Sequence, residues 1–287
     1  MNLNATPLRY PGGKGKLTNF MRRVFEENDL LDGHYAEPYA GGAGLALNLL
    51  MLGYVSHIHL NDISPSVFAF WHSVVHSPDK LCRMIRDAKL NMDEWQKQKQ
   101  IQRAPQKHDS LKLGFSTFFL NRTNRSGILT GGVIGGNDQS GNWKIDARFN
   151  KKDLIQRIEK IAMYRGRIHL YNLDAAKLIT EILPTLPKKS LVYLDPPYYV
   201  KADRLYVNFY KEKDHQMIAG LVKKITLPWI VSYDHMPAIS SMYKSFRTIT
   251  YGMDYSAAKC YQGSEVMFFS RRMIIPRVKN PLSLEAA

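Results

Sequence analysis

A mixed α/β fold with a largely parallel sheet is what this 287-residue sequence predicts. Three observations lead there. Apolar or alternating runs of strand type recur along the chain, separated by stretches of helical period. Strands that alternate with helices join in parallel through right-handed crossovers. Five acids, Glu37, Asp62, Asp174, Asp195 and Asp234, each fall at or just past the end of such a run. Ligands meet an open parallel sheet at those carboxyl ends.

Taken in order, residues 35–39 read as a strand and 43–52 as a helix, which Gly53 is placed to stop. Residues 55–60 alternate and end at Asn61-Asp62. Further on, residues 168–172 form a strand running into Asp174, 176–183 a helix, and 190–194 an apolar run of buried-strand type. Asp214 is placed to cap a helix reaching residue 225. Residues 229–233, 246–251 and 265–270 supply the remaining strands.

Composition narrows the class. Hydrophobic residues make up 45% and charged residues 23%, which excludes a disordered tail, a collagen-like repeat and a disulfide-stapled miniprotein. The two cysteines, Cys82 and Cys260, have no CxxC partner, so neither a zinc site nor a disulfide framework is expected. No signal-peptide pattern opens the chain, and its most apolar segment, residues 44–54, is too short to span a bilayer. A soluble cytoplasmic protein with no membrane partner is the expectation.

The charge is the outlier, at +15 with a pI near 9.7. Residues 95–167 carry 15 basic against five acidic side chains, two-thirds of the whole excess in a quarter of the chain. So concentrated a basic stretch favours a polyanion-binding segment over a merely solvated face. Within it, residues 127–141 hold six glycines, which deny a long helix and favour turns or a hairpin. Helical patterning resumes from Asp153, with apolar residues at 154, 155, 158, 161 and 162.

Two motifs carry chemistry. In Glu37-Pro38-Tyr39-Ala40-Gly41-Gly42-Ala43-Gly44 a strand enters and a helix leaves. Glycines admit close backbone approach to a ligand, and the helix N-terminus adds partial positive charge. Asp62, 21 residues beyond Gly41, is placed to accept hydrogen bonds from ribose hydroxyls. The same residues would also suit a tight turn with Asp62 as a cap. Neither G-x-G-x-x-G nor a Walker loop is present: Tyr10 and Leu17 stand where the latter needs Gly and Ser/Thr. The second motif, Asp195-Pro196-Pro197-Tyr198, follows the apolar run directly. It gathers a carboxylate, a carbonyl stiffened by prolines and an aromatic face. That set suits an amino group on a flat ring, with two acceptors for its hydrogens and a surface for stacking. An ordinary turn is the bland alternative.

The ordered set of motifs resembles the Dam-type, D12-class N6-adenine DNA methyltransferases. Arg9-Tyr10-Pro11-Gly12-Gly13-Lys14, the Glu37 motif, Asn61-Asp62, Phe119-Leu120-Asn121-Arg122-Thr123, Asp174 and Asp195–Tyr198 occur in that family's α order, over residues 8–270. The resemblance implies a Rossmann-like seven-stranded sheet with an antiparallel last strand, for which residues 265–270 are the candidate. It implies a discontinuous catalytic domain, residues 1–70 and 165–275, an inserted, mostly helical target-recognition domain, 71–164, and a tail, 276–287. S-adenosylmethionine would be the methyl donor, with no metal. Tyr10 and Lys14 would lie beside it, Glu37 near its methionine moiety, Asp62 on its ribose and Asp174 on its adenine amino group. Asp195 and the Pro196 carbonyl would hold the target N6, Asp195 lying where donor and target meet, and Tyr198 would stack on a flipped base. Double-stranded DNA would meet Arg122, Arg125, Lys151 and Lys152. Dam enzymes follow their Asn-Arg with an aromatic residue, whereas here the chain reads Asn124-Arg125-Ser126-Gly127. A GATC target therefore does not carry over, and neither a restriction-enzyme partner nor an orphan role is read from these motifs. Methylation of cytosine N4 or of RNA adenine, and a catalytically silent DNA-binding relative, remain the alternatives.

Overall fold

A computed structural model describes residues 5–10, 12–199, 210–255 and 261–284. Seven strands form one sheet: β1 (Gly33–Glu37), β2 (Val55–Asn61), β3 (Ile168–Tyr171), β4 (Ser190–Leu194), β5 (Trp229–Asp234), β6 (Arg247–Tyr255) and β7 (Tyr261–Phe269). Their order is β3-β2-β1-β4-β5-β7-β6. Neighbours from β3 to β5 are parallel, and β7 runs antiparallel to both β5 and β6. The expected antiparallel last strand is therefore present. The order reverses beside β1 and β4, which sets their carboxyl ends, and thus Glu37 and Asp195, side by side at the switch point.

The strands bury both faces. Tyr35, Leu191, Tyr193, Ile230 and Met267 point into one apolar layer, and Ala36, Val192, Leu194, Val231 and Phe268 into the other. This period of two explains why β4 reads as a continuous apolar run. The first layer is covered by α1 (Thr18–Glu27), α2 (Gly44–Met51), α3 (Pro65–His76), α4 (Pro78–Asp87), α5 (Met92–Arg103), α6 (Ser110–Thr123) and α7 (Lys151–Ala162). Residues 175–185 and the helices Glu212–Val222 and Pro237–Met242 cover the second. At Gly114, α6 approaches α3 so closely that a Cβ would lie 2.5 Å from the Ala69 carbonyl oxygen. Phe70 stacks on Phe118 beside this crossing, with ring centroids 5.9 Å apart.

Several elements differ from the sequence reading. The expected helix at 176–183 is one α-turn, Ala175–Lys177, running into a wide turn, Leu178–Ile182, and a tight one, Leu183–Thr185. Pro184 lacks an N–H and its ring crowds the preceding turn, so regular α-bonding cannot continue. Asp214 is not the N-cap. It sits one turn inside, where its carboxylate accepts the Lys211 N–H at 2.8 Å. Helix α3 runs straight through residues 70 and 71, so a boundary drawn there falls inside a helix. The glycine-rich stretch forms turns, with one isolated antiparallel bridge between Asn124 and Val133. Among the described residues, no helix is long and apolar enough to cross a membrane.

Candidate active site

The glycine motif leaves β1 through two left-handed residues, Gly41 (φ 45°) and Ala43 (φ 46°), before α2 begins. Trp71 Nε1 donates to the Gly41 carbonyl at 2.8 Å, and Ala40 N–H to the Asn61 carbonyl at 2.8 Å, so the turn is fixed from both sides. Tyr10 lies on it: a Cβ at Gly41 would meet the tyrosine ring at 2.6 Å. At the end of β2, Asp62 accepts the Gly41 N–H on Oδ2 (3.0 Å) and the Ser64 N–H on Oδ1 (2.9 Å). Asn61 beside it bonds the Pro38 carbonyl and both backbone groups of Leu173, fixing three loops together.

Lys14 enters from the other side, on the helical turn Lys14–Leu17 that precedes α1. Its Nζ lies 3.1 Å from Asp195 Oδ1, 3.1 Å from Glu265 Oε1 and 3.5 Å from the Tyr198 hydroxyl. Asp195 stands at the end of β4, where Ser232 Oγ on β5 also donates to Oδ1 at 2.7 Å. Both bonds fall on one oxygen, so Oδ2 keeps its lone pairs for another donor. Tyr198 donates to Glu265 Oε1 at 2.8 Å, and Tyr251 to Oε2 at 2.7 Å. Tyr199 N–H donates to Asp234, which pins the loop after the two prolines.

Burial dominates the electrostatics. It pushes Glu37 up to about 8, against the hydrogen bond from Tyr35. Asp62 is raised to about 6 by burial, against the two N–H groups that it accepts. Burial also raises Asp195, opposed by Lys14 and reinforced by Glu265. Burial lowers Lys14, but Asp195, Tyr198 and Glu265 outweigh it and hold the ammonium well above the usual lysine value. Burial raises Glu265 too, yet Lys14 and the two tyrosine hydroxyls prevail and keep it low. Of the two carboxylates that share Lys14, Glu265 is the firmer anion.

Tyr10, Lys14, Glu37, Asp62 and Asp195 all line one cavity of about 700 Å³. Its wall also includes Pro197, Tyr210 and residues 127–130 of the glycine-rich stretch. Pro196 is buried, and Tyr198 is 4% exposed with its hydroxyl turned to Glu265. Asp174 Oδ1 caps the turn at Ala176, and its neighbour Ala175 faces the cavity. Of the four expected DNA-binding residues, Arg125 and Lys152 are exposed. Arg122 Nε instead donates to the Arg148 carbonyl, and Lys151 Nζ to the carbonyls of Arg86 and Ala88, each at 2.7 Å. The sequence reading missed Glu265 and Ser232; the one available signal was an acid inside the otherwise apolar strand Glu-Val-Met-Phe-Phe. Among the described residues, no group of three His, Cys, Asp or Glu side chains is arranged to hold a metal ion.

A nucleoside-sized cationic donor fits this chemistry. The volume falls in the range of small-molecule sites. Asp62 keeps lone pairs beyond its two N–H bonds, and an adjacent cation would return Glu37 to its charged form.

The strand order and the site at the carboxyl ends define a Rossmann-like methyltransferase fold. The chain belongs to the D12 class N6 adenine-specific DNA methyltransferase family, whose model matches residues 10–256. No curated protein sequence matches it significantly. Similar solved structures include a candidate RNA methyltransferase from Pyrococcus horikoshii, at 10% identity and TM-score 0.44, covering 92% of this chain and 86% of that one. The rRNA methyltransferase aviRa from Streptomyces viridochromogenes has 10% identity and TM-score 0.40, covering 90% and 85%. A candidate class I S-adenosylmethionine-dependent methyltransferase from Listeria monocytogenes has 9% identity and TM-score 0.39, covering 92% and 62%.

Proposed function

We propose that this chain transfers a methyl group from S-adenosylmethionine to the N6 amino group of adenine in double-stranded DNA. One observation carries the reading. Asp195, bonded through a single carboxylate oxygen, shares a cavity with Lys14, Glu37, Asp62 and the Gly41 turn. Family membership supports the donor and the base.

In this reading Asp62 accepts the donor's ribose hydroxyls, Glu37 meets its cationic methionine end, and the free oxygen of Asp174 takes its adenine amino group. When bound, the donor supplies an activated methyl on a sulfonium. The adenine amino lone pair is delocalised into its ring and is a poor nucleophile. Asp195 Oδ2 and the Pro196 carbonyl accept its two N–H groups and return electron density to nitrogen. Much of the acceleration comes from holding both reactants at one strand edge. Because N6 is out of reach inside a stacked duplex, the base is flipped out, at a cost of a few kcal/mol. Tyr198 then serves as the stacking surface, which requires its ring to swing from Glu265 into the cavity. Arg125 and Lys152 meet backbone phosphates and offset part of the flipping cost.

The test is direct. Purified protein is incubated with methyl-labelled donor and duplex DNA, and the DNA is digested to nucleosides. Label in N6-methyladenine, lost in Asp195→Ala, is expected. Label only in N4-methylcytosine, only in RNA, or in no nucleic acid would overturn the reading.

A further inference from the structure

The Lys14 ammonium has three N–H donors, and three acceptors stand around it: Asp195 Oδ1, Glu265 Oε1 and the Tyr198 hydroxyl. All three donors are thus committed to groups of the site. Glu265 is fully buried and Lys14 is 7% exposed. The Lys14–Glu265 side of the cluster is therefore withdrawn from bulk water, while Asp195 lies on the cavity wall. One cation there faces two carboxylates.

This arrangement creates a problem that Asp195 alone cannot solve. When Asp195 also accepts an incoming amino group on Oδ2, its charge is shared and its hold on Lys14 weakens. A buried ion pair that loses one partner leaves an uncompensated charge, which is strongly unfavourable. Glu265 removes the difficulty. We propose that Glu265 is a positioning residue of methyl transfer: it holds Lys14 and gives the ammonium a second carboxylate, which it keeps when the Tyr198 ring swings away, so that Asp195 is free to take the target amino group. The inference rests on the methyltransferase reading above.

Three features support it. Glu265 is placed by the sheet itself, in register with Asp234 on β5 and Tyr251 on β6. Its second oxygen is fixed by the Tyr251 hydroxyl at 2.7 Å, which prevents the carboxylate from rotating away. On the other side, Ser232 holds Asp195 Oδ1 at 2.7 Å and is itself held by the Tyr193 hydroxyl at 2.9 Å. Two carboxylates are thus fixed independently, with Lys14 between them. The charge preference has the same sense: Lys14 and the tyrosine hydroxyls keep Glu265 low, whereas burial and Glu265 raise Asp195. Both carboxylates lie 3.1 Å from the ammonium, and Glu265 is the one held low.

The experiment compares wild type with Glu265→Gln and Glu265→Asp in single-turnover methylation of duplex DNA at saturating donor. Donor affinity is followed by calorimetry. Glu265→Gln keeps the side-chain shape and loses the charge. Its rate should fall by about 10- to 100-fold while donor affinity stays within about twofold, because the loss lies in the transfer step. The acid limb of its pH–rate profile should move to lower pH, since Glu265 no longer raises Asp195. A merely structural role would not move that limb. Glu265→Asp should recover part of the rate. In a Lys14→Met background, Glu265→Gln should cost little more, because the two residues act as one unit.

A folded, donor-binding Glu265→Gln with wild-type rate and pH profile overturns the proposal, as does full additivity with Lys14→Met. If Glu265→Gln fails to fold, Glu265→Asp carries the same test: it withdraws the charge by one methylene, and an unchanged rate overturns the proposal. A wild-type chain that binds donor and methylates no DNA overturns the functional reading, and this inference with it. An active wild type with an indifferent Glu265 overturns this inference alone.

Discussion

Asn121 and Arg9, 112 residues apart, clamp each other: Asn121 Nδ2 donates to the Arg9 carbonyl and Oδ1 accepts the Arg9 N–H, both at 2.7 Å. Asn121 also donates to the Gly127 carbonyl at 2.9 Å. Gly127 must be glycine, because it has φ 76° and a Cβ there would lie 2.3 Å from the Arg9 oxygen. One buried amide thus joins α6, the glycine-rich stretch and the segment that lays Tyr10 on the Gly41 turn. Removing it should strand the N–H and carbonyl of Arg9 and the carbonyl of Gly127. We expect Asn121→Ala to cost about 3 kcal/mol, since each stranded buried group costs about 1–3 and water recovers part at half-exposed Arg9. Donor affinity should fall as well. Urea unfolding within about 0.5 kcal/mol of wild type would mean that water replaces the clamp.

Gly41→Ala tests the fit of Tyr10 on the donor turn. The new methyl would need a left-handed backbone and would meet the Tyr10 ring at 2.6 Å. We expect a loss of about 1–3 kcal/mol in stability from backbone strain and the displaced ring. Tyr10→Ala should relieve part of it, so the double variant should be less destabilised than the two losses combined. Strict additivity in thermal unfolding would separate Tyr10 from the turn.

If Asp62 binds the donor as proposed, binding should have a pH dependence with a definite sign. Its carboxyl is raised to about 6 by burial. Donor binding through charge-assisted bonds needs the ionised form, so affinity should be full above that value and decline as pH falls through it. Asp62→Ala should lose about 10- to 150-fold in affinity, from about 1.5–3 kcal/mol for bonds to a charged group. Part of this loss comes from the freed Gly41 N–H. Calorimetry showing one affinity on both sides of this pH, with a silent alanine variant, would remove Asp62 from the site.

The basic segment divides into two kinds of residue. Arg125 and Lys152 are exposed. Lys151 is bonded to the Arg86 carbonyl in the last turn of α4 and to the Ala88 carbonyl just beyond it, and Arg122 to the Arg148 carbonyl. Neutralising Arg125 or Lys152 should lower the slope of log affinity against log salt by about 0.9 each for duplex DNA. Lys151→Ala should instead destabilise the fold by about 1 kcal/mol, since α4 loses its terminal partner. A larger slope change from Lys151 than from Lys152 would reverse the assignment.

Period and motif made much of this legible. Strand alternation and the acids at strand ends placed the sheet, and five of the six cofactor-binding residues expected from the sequence line one cavity. What stayed hidden depends on register and close approach. Glu265 reaches Lys14 only because β7 folds back antiparallel beside β5. Lys151 looks like any basic residue of the segment until α4 ends beside it. The wide turn at Leu178–Ile182 needs Pro184 to be read as a constraint on residues before it. Four histidines, 34, 57, 59 and 169, carry no recognisable spacing, yet the strands bring them together.

Those histidines give the fold an acid limit. Registers His34 with His57 and His59 with His169 place the four rings on one face of β1, β2 and β3. Neighbouring centroids are 4.5–5.4 Å apart. His34 Nδ1 and His59 Nε2 share one proton at 3.0 Å, and His59 Nδ1 bonds the Tyr171 hydroxyl at 3.0 Å. Protonating this row would add like charges at stacking distance. His59, 4% exposed, is accordingly pushed down to about 3 by burial and then by His169, His34 and His57. Burial and neighbouring imidazoles lower His34 and His169 as well. The sign follows from linkage. Unfolded histidine takes its proton near pH 6.5, well before His59 does in the fold, so the unfolded state binds more protons as pH falls. Stability is full above about 6.5 and is lost progressively toward about 3. Between pH 7 and pH 5 the His59 contribution alone should remove about 2 kcal/mol. His59→Phe keeps a stacked ring and cannot titrate. We expect it to be less stable than wild type at pH 8, having lost two hydrogen bonds, and to show a much flatter decline between pH 7 and pH 5. Urea unfolding at several pH values measures both. An equally steep decline in the variant would place the acid sensitivity in groups other than His59.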